Sequence, residues 1–157
     1  MKKITPFLWF DGQAEEAAKC YVSVFENSKI LGITRQEGAG PRGKSKAMFA
    51  SFRLDGQEFM ALNGGPEFKF TPAISFFVSC KSQEEVDRLW ARLSKGGKKG
   101  RCGWLEDRFG VSWQIIPTAL GELMGDPDPE KAGRVMKAML KMGKIDIARL
   151  KRAHARG

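Results

Sequence analysis

The chain carries a single histidine, His154, and only three cysteines, Cys20, Cys80 and Cys102, among its 157 residues. One histidine cannot build the imidazole clusters on which many zinc centres rest, and no Ser/His/Asp or Cys/His nucleophile arrangement can be assembled around it. The cysteines are odd in number, widely separated and without CxxC spacing. That excludes a disulfide framework and predicts reduced, mostly buried thiols. Long apolar runs are missing too: nothing approaches the roughly 20 residues of a membrane span. Met1-Lys2-Lys3 leads into a strand-like segment instead of a signal-peptide core, so a cytoplasmic protein with no membrane partner is predicted. Acids are scarce relative to bases, 18 against 27, for a formal charge of +9.

The placement of that charge limits its meaning. Between Lys131 and Gly157 stand Lys131, Arg134, Lys137, Lys141, Lys144, Arg149, Lys151, Arg152 and Arg156 against one acid, Asp146, so this segment carries +8 of the +9. Everything before it is nearly neutral. Such a segment reads as the solvated face of amphipathic helices, and no nucleic-acid partner is predicted. A hydrophobic content of 42% at this length supports one good core and one compact domain.

Hydrophobic periodicity orders what is present. Ile4 to Phe10 is a short aromatic β-prone run closed by Asp11-Gly12. From Gln13 to Phe25, Ala14, Ala17, Ala18, Tyr21, Val22 and Phe25 recur at helical spacing on one face. Ser28 to Glu37 reads as a strand. Ala47 to Leu54 alternates with Met48, Ala50, Phe52 and Leu54 on one side, and Asp55-Gly56 turns it back into Glu58 to Leu62. The pattern then restarts. Ile74 to Ser79 is a strand, and Ser82 with Glu85 forms a capping box for a helix bearing Val86, Leu89, Trp90 and Leu93. Two further strands follow, Cys102 to Leu105 and Val111 to Ile116. At a constant offset of 69, Phe7 falls on Phe76, Glu15-Glu16 on Glu84-Glu85, Ala17 on Val86, Tyr21 on Trp90 and Val24 on Leu93, the mark of a duplicated unit. The predicted class is α+β: tandem βαβββ modules over residues 1–65 and 72–117 form a cupped mixed sheet, and 118–157 is a helical extension.

One motif points elsewhere. Gly38 to Ser45 matches GxxxxGK[ST], the phosphate-cradling loop of nucleotide-binding proteins. That mechanism needs a helix starting at Lys44-Ser45. The period-two alternation of Ala47 to Leu54 predicts a strand there, which leaves nucleotide binding a remote alternative.

Ile4-Thr5-Pro6-Phe7-Leu8-Trp9-Phe10-Asp11-Gly12, Tyr21-Val22-Ser23-Val24-Phe25, Leu62-Asn63-Gly64-Gly65-Pro66, Cys102-Gly103-Trp104-Leu105, Phe109 to Pro117 and Lys144-Ile145-Asp146-Ile147-Ala148 cover nearly the whole chain. Together with the doubled module they resemble the vicinal oxygen chelate superfamily, in its PhnB-like branch, often labelled 3-demethylubiquinone-9 3-methyltransferase-like. The resemblance implies a small-molecule site enclosed by the sheets. It also implies a homodimer, which the Met-rich C-terminal stripe favours by needing cover. In the superfamily's enzymes, His, Gln or Glu on inner strands hold a metal. Those positions fall near Thr5, Ala73, Leu62 or Asn63, and Gln114, of which Gln114 alone is a good donor, so neither a tightly bound metal nor another cofactor is predicted. No glycine-rich turn after a first parallel strand, with an acid ending the second, stands here to support methyl transfer. The expected lining is Trp9, Asn63, Ser75, Phe76, Trp104 and Gln114, suited to a small, partly aromatic or polar ligand. Glu58, Glu67 and Asp107 are the acid/base candidates, each with a surface or turn role as its simpler reading, and no catalytic residue is assigned. A metal-assisted lyase, isomerase or dioxygenase is the alternative function.

Overall fold

Alternation within strands and three- to four-residue spacing between them produce the same local order twice. The computed structural model describes residues 2–36 and 46–156. In it, β1 (Phe7–Phe10), α1 (Ala14–Val24), β2 (Lys29–Gln36), β3 (Lys46–Leu54) and β4 (Gln57–Asn63) form one compact unit, residues 1–70. The second unit, 71–157, holds β5 (Phe76–Cys80), α2 (Gln83–Ser94), β6 (Lys98–Lys99), β7 (Trp104–Glu106), β8 (Ser112–Pro117), α3 (Thr118–Met124), α4 (Pro129–Leu140) and α5 (Ile147–Ala155). Each unit has one four-stranded mixed sheet, ordered β1-β4-β3-β2 and β5-β8-β7-β6. In each, the first strand runs parallel to the last and the other pairs are antiparallel.

In the first unit, Leu8, Phe10, Ala50, Phe52, Leu54, Phe59 and Ala61 are buried on the side of the sheet covered by Ala14, Ala17, Ala18, Tyr21 and Val24 of α1. Asp55 and Gly56 both take positive φ, 45° and 83°, and join β3 to β4 in a two-residue turn. That conformation matches the twist of the strands it connects. The motif Gly38 to Ser45 lies outside the described residues. Directly after it the chain is β3, paired to β2 and β4, so strand stands where a phosphate cradle would need its helix to run on.

The second unit repeats the plan with one shortened strand, β6, of two residues against eight in β2. Ser82 Oγ accepts the Glu85 amide, and Glu85 Oε2 accepts the Lys81 amide, one position before the cap. The offset of 69 holds for the helices, where Ala17/Val86, Tyr21/Trp90 and Val24/Leu93 are all buried. It does not hold for the first strands. Buried Leu8 would then fall on Phe77, which is 60% exposed. An offset of 70 restores agreement, placing Phe7 on exposed Phe77 and buried Phe10 on buried Cys80. The reason is the connection: Asp11 to Gln13 separates β1 from α1, whereas only Lys81 and Ser82 separate β5 from α2. One residue fewer shifts the strand by one, and a shift of one exchanges its faces.

The C-terminal helices are continuous with the second unit's core. Ile116 of β8 packs with Leu120, Val135, Met142, Ile145 and Leu150, with Met124, Ala138 and Met139 against them. Most of the apolar stripe is therefore covered within the unit, and Met136 and Leu140 are its exposed members. His154 belongs to α5 and pairs with Asp126 at 2.8 Å. Among the described residues no helix is long and apolar enough to cross a membrane.

Candidate functional site

Strand pairing decides which side chains share the sheet surface away from the helices. On the second sheet, Phe77 lies beside Gln114 and Gln114 beside Trp104, so these three stand on one face. Gln114 Nε2 donates to Ser75 Oγ at 3.0 Å. That leaves Gln114 Oε1 as an acceptor with no recorded partner among the described residues, and the Ser75 hydroxyl free to donate. Trp104, Ser75 and Gln114 are half-buried. The arrangement offers a donor and an acceptor side by side, flanked by two aromatic rings.

On the first sheet, Phe7, Trp9, Phe49, Met60 and Leu62 occupy the face opposite α1. Phe7 is 52% exposed and stacks against Phe49 with centroids 6.5 Å apart. Trp9 is held by its own unit: Nε1 donates to the Gly65 carbonyl at 3.0 Å, and its ring meets Phe68 edge-on at 4.9 Å. A Cβ on Gly64 would overlap that ring. The Leu62-Asn63-Gly64-Gly65-Pro66 stretch is thus the seat of Trp9.

Of the six expected lining residues, Trp9 lies on this face of the first unit, and Ser75, Trp104 and Gln114 lie together on the second. Two turn toward the helix side instead. Phe76 packs on buried Trp113 with centroids 5.3 Å apart, a consequence of the one-residue shift described above. Asn63 Oδ1 accepts the Ala14 amide at 2.8 Å and caps α1, whose Gln13 provides no side-chain cap. Phe7 and Phe77 were missed. Strict alternation read backward from buried Cys80 finds Phe77, since it is three residues before it and therefore on the other face.

The acid/base candidates have structural occupations. Asp107 is buried; its Oδ1 accepts from the Phe109 and Val111 amides and its Oδ2 from Trp113 Nε1 at 2.9 Å. Glu58 faces Arg53 at 3.8 Å, and Glu67 is exposed. The Arg35 guanidinium and Lys19 hold Glu15 down to about 2. Burial pushes the Cys80 thiol up to about 12, which removes it as a nucleophile near neutrality. Cys20 and Cys102 are half-buried free thiols.

The metal positions implied by the superfamily do not fit a divalent ion. Thr5 Oγ1 donates to the Lys2 carbonyl, Ala73 and Leu62 have no ligating atom on their side chains, and Asn63 Oδ1 accepts the Ala14 amide, which leaves Gln114 Oε1 alone. Among the described residues no three His, Cys, Asp or Glu side chains cluster. A neutral amide and a hydroxyl lack the charge that hard cations require.

Tandem βαβββ units, each with a mixed sheet whose first and last strands are parallel, give the chain the fold expected of the vicinal oxygen chelate class. The family model 3-demethylubiquinone-9 3-methyltransferase matches residues 2–116. A PhnB protein from Bacillus cereus is 39% identical, over 74% of this chain and 99% of that one, with a TM-score of 0.69. The Pseudomonas aeruginosa protein PA1353 is 26% identical over 74% and 98%, with a TM-score of 0.56. The Listeria monocytogenes fosfomycin resistance protein FosX shares the fold at 13% identity, over 74% and 93%, with a TM-score of 0.51. No curated protein matches. The chain belongs to the PhnB-like, 3-demethylubiquinone-9 3-methyltransferase family.

Proposed function

We propose that the protein binds a small, planar, partly aromatic molecule with a polar edge on the open face of its second sheet, and does so without a tightly held metal ion. The Gln114–Ser75 pair carries this reading: it presents a carbonyl oxygen and a hydroxyl proton together, between Trp104 and Phe77. Aromatic walls with a few fixed polar groups suit such ligands. The family's name refers to a demethylubiquinone, a flat ring with oxygen-bearing edges, and that chemistry agrees with the face. The weak donor set at the superfamily's metal positions, reduced to the neutral Gln114 amide, supports binding over metal-assisted lyase, isomerase or dioxygenase chemistry.

Protein purified without chelator should contain no stoichiometric transition metal by elemental analysis, and should gain thermal stability with a soluble benzoquinone. Gln114→Ala should abolish that gain while leaving the circular dichroism spectrum intact. A stoichiometric metal, or an equal gain in Gln114→Ala, would overturn the reading. We further infer a homodimer, because Phe7, Phe68, Ile74 and Phe77 leave large apolar surfaces uncovered.

A further inference from the structure

Helices α4 and α5 are clasped by Arg134, whose Nε and Nη2 donate to the Ala153 and His154 carbonyls, each at 2.9 Å. Alongside this clasp runs a groove of about 240 Å³ lined by Ala138, Lys141, Arg149, Arg152, Ala153 and Arg156. Four of its six lining residues are cations and none is an acid. Arg149 and Arg152 stand three residues apart on one side of α5, and Arg156, the residue that ends the helix, joins them at the groove. Lys141, at the end of α4, faces them across the groove.

Several acids of the neighbouring segments are already engaged, and Glu122 and Glu130 form no ion pair with the groove's cations among the described residues. Asp126 pairs with His154, Asp87 with Lys144, and Asp146 and Asp128 accept backbone amides at the starts of α5 and α4. No ion pair is recorded for Lys141, Arg149, Arg152 or Arg156 among the described residues. Four unneutralised cations around one hollow repel each other, and a multivalent anion seated there would relieve that repulsion. Guanidinium forks match the oxygen geometry of phosphate in particular.

We propose that this groove is a binding site for a soluble diphosphate, free or as the charged end of a small molecule. Its concavity and four converging charges fit a compact anion of several charges. An extended polyanion would instead need a long, flat basic stripe. The site is separate from the Gln114 face and independent of what that face binds. It also lies outside residues 2–116, the part that the family model matches.

Titration calorimetry of the full chain with pyrophosphate tests it. Pyrophosphate should bind more tightly than inorganic phosphate, and Arg149→Gln with Arg152→Gln should weaken it about tenfold or more. The control Lys131→Gln with Lys137→Gln removes the same charge outside the groove and should change affinity by no more than about twofold. Circular dichroism verifies that both double variants fold. Equal weakening by the two would mean diffuse attraction, and would overturn the proposal. Absence of pyrophosphate binding would overturn it as well, as would binding only to phosphatidylglycerol-containing vesicles or a preference for duplex DNA.

Discussion

Asp107 gathers three donors onto one buried carboxylate, two backbone amides of its own turn and the indole of Trp113. Removing an acceptor from buried donors costs more than the net worth of the bonds, because each donor loses water without replacement. Asp107→Ala should therefore lower unfolding stability by about 3–5 kcal/mol in urea titration. Asp107→Asn should cost less, about 2 kcal/mol, since one oxygen can still serve the two amides. Glu15 provides a second residue-scale test. Its folded value, about 2, lies below the ordinary 4.5, so the ionised side chain stabilises the fold above pH 4.5 and that contribution is lost as pH falls toward 2. Because Arg35 and Lys19 are well exposed, Glu15→Gln should cost only about 0.5 kcal/mol at pH 7. The gap between the two proteins should narrow below pH 4.5 and close near pH 2, as followed by urea titration at each pH.

Among the elements, the junction between the second sheet and the C-terminal helices is the most constrained. Cys102 and Gly103 take positive φ, 57° and 83°, and their amides donate to the Met142 and Gly143 carbonyls. A Cβ on Gly103 would lie 2.6 Å from Ile116 Cδ1 and 2.9 Å from the Ile115 carbonyl. Gly103→Ala should thus destabilise by about 2–3 kcal/mol, measured by thermal unfolding, through strain and collision together. Gln83 clamps the same helices, donating to the Ile145 carbonyl and accepting the Ile147 amide. Gln83→Ala should free the start of α5, raising hydrogen exchange from Ile147 to Leu150 while β8 remains protected. These contacts explain two of the stretches that carry the family resemblance, Cys102 to Leu105 and Lys144 to Ala148. Both secure the helices to the sheet. Element type was legible because strand alternation and helical stripes are local. Facing was not, since it turned on a connection shorter by one residue.

At the scale of the whole molecule, the homodimer proposed above is open to a direct test. Light scattering at micromolar concentration should give twice the mass of one chain, and a monomeric mass would remove that inference. Within each unit the division of labour is clear. Composition, strand and helix periodicity, and the duplicated pattern determined the class of fold, because burial of alternating side chains leaves few arrangements for so regular a sequence. Only the folded structure decided the site. Asn63 became a helix cap and Phe76 a packing partner of buried Trp113, while Phe77, Ser75 and Gln114 came to share a surface. The four cations of the α4–α5 groove likewise read along the chain as one solvated helical face. Their convergence depends on two helices lying side by side. Periodicity is a property of neighbours along the chain, whereas a binding surface is set by register and by packing between segments distant in sequence.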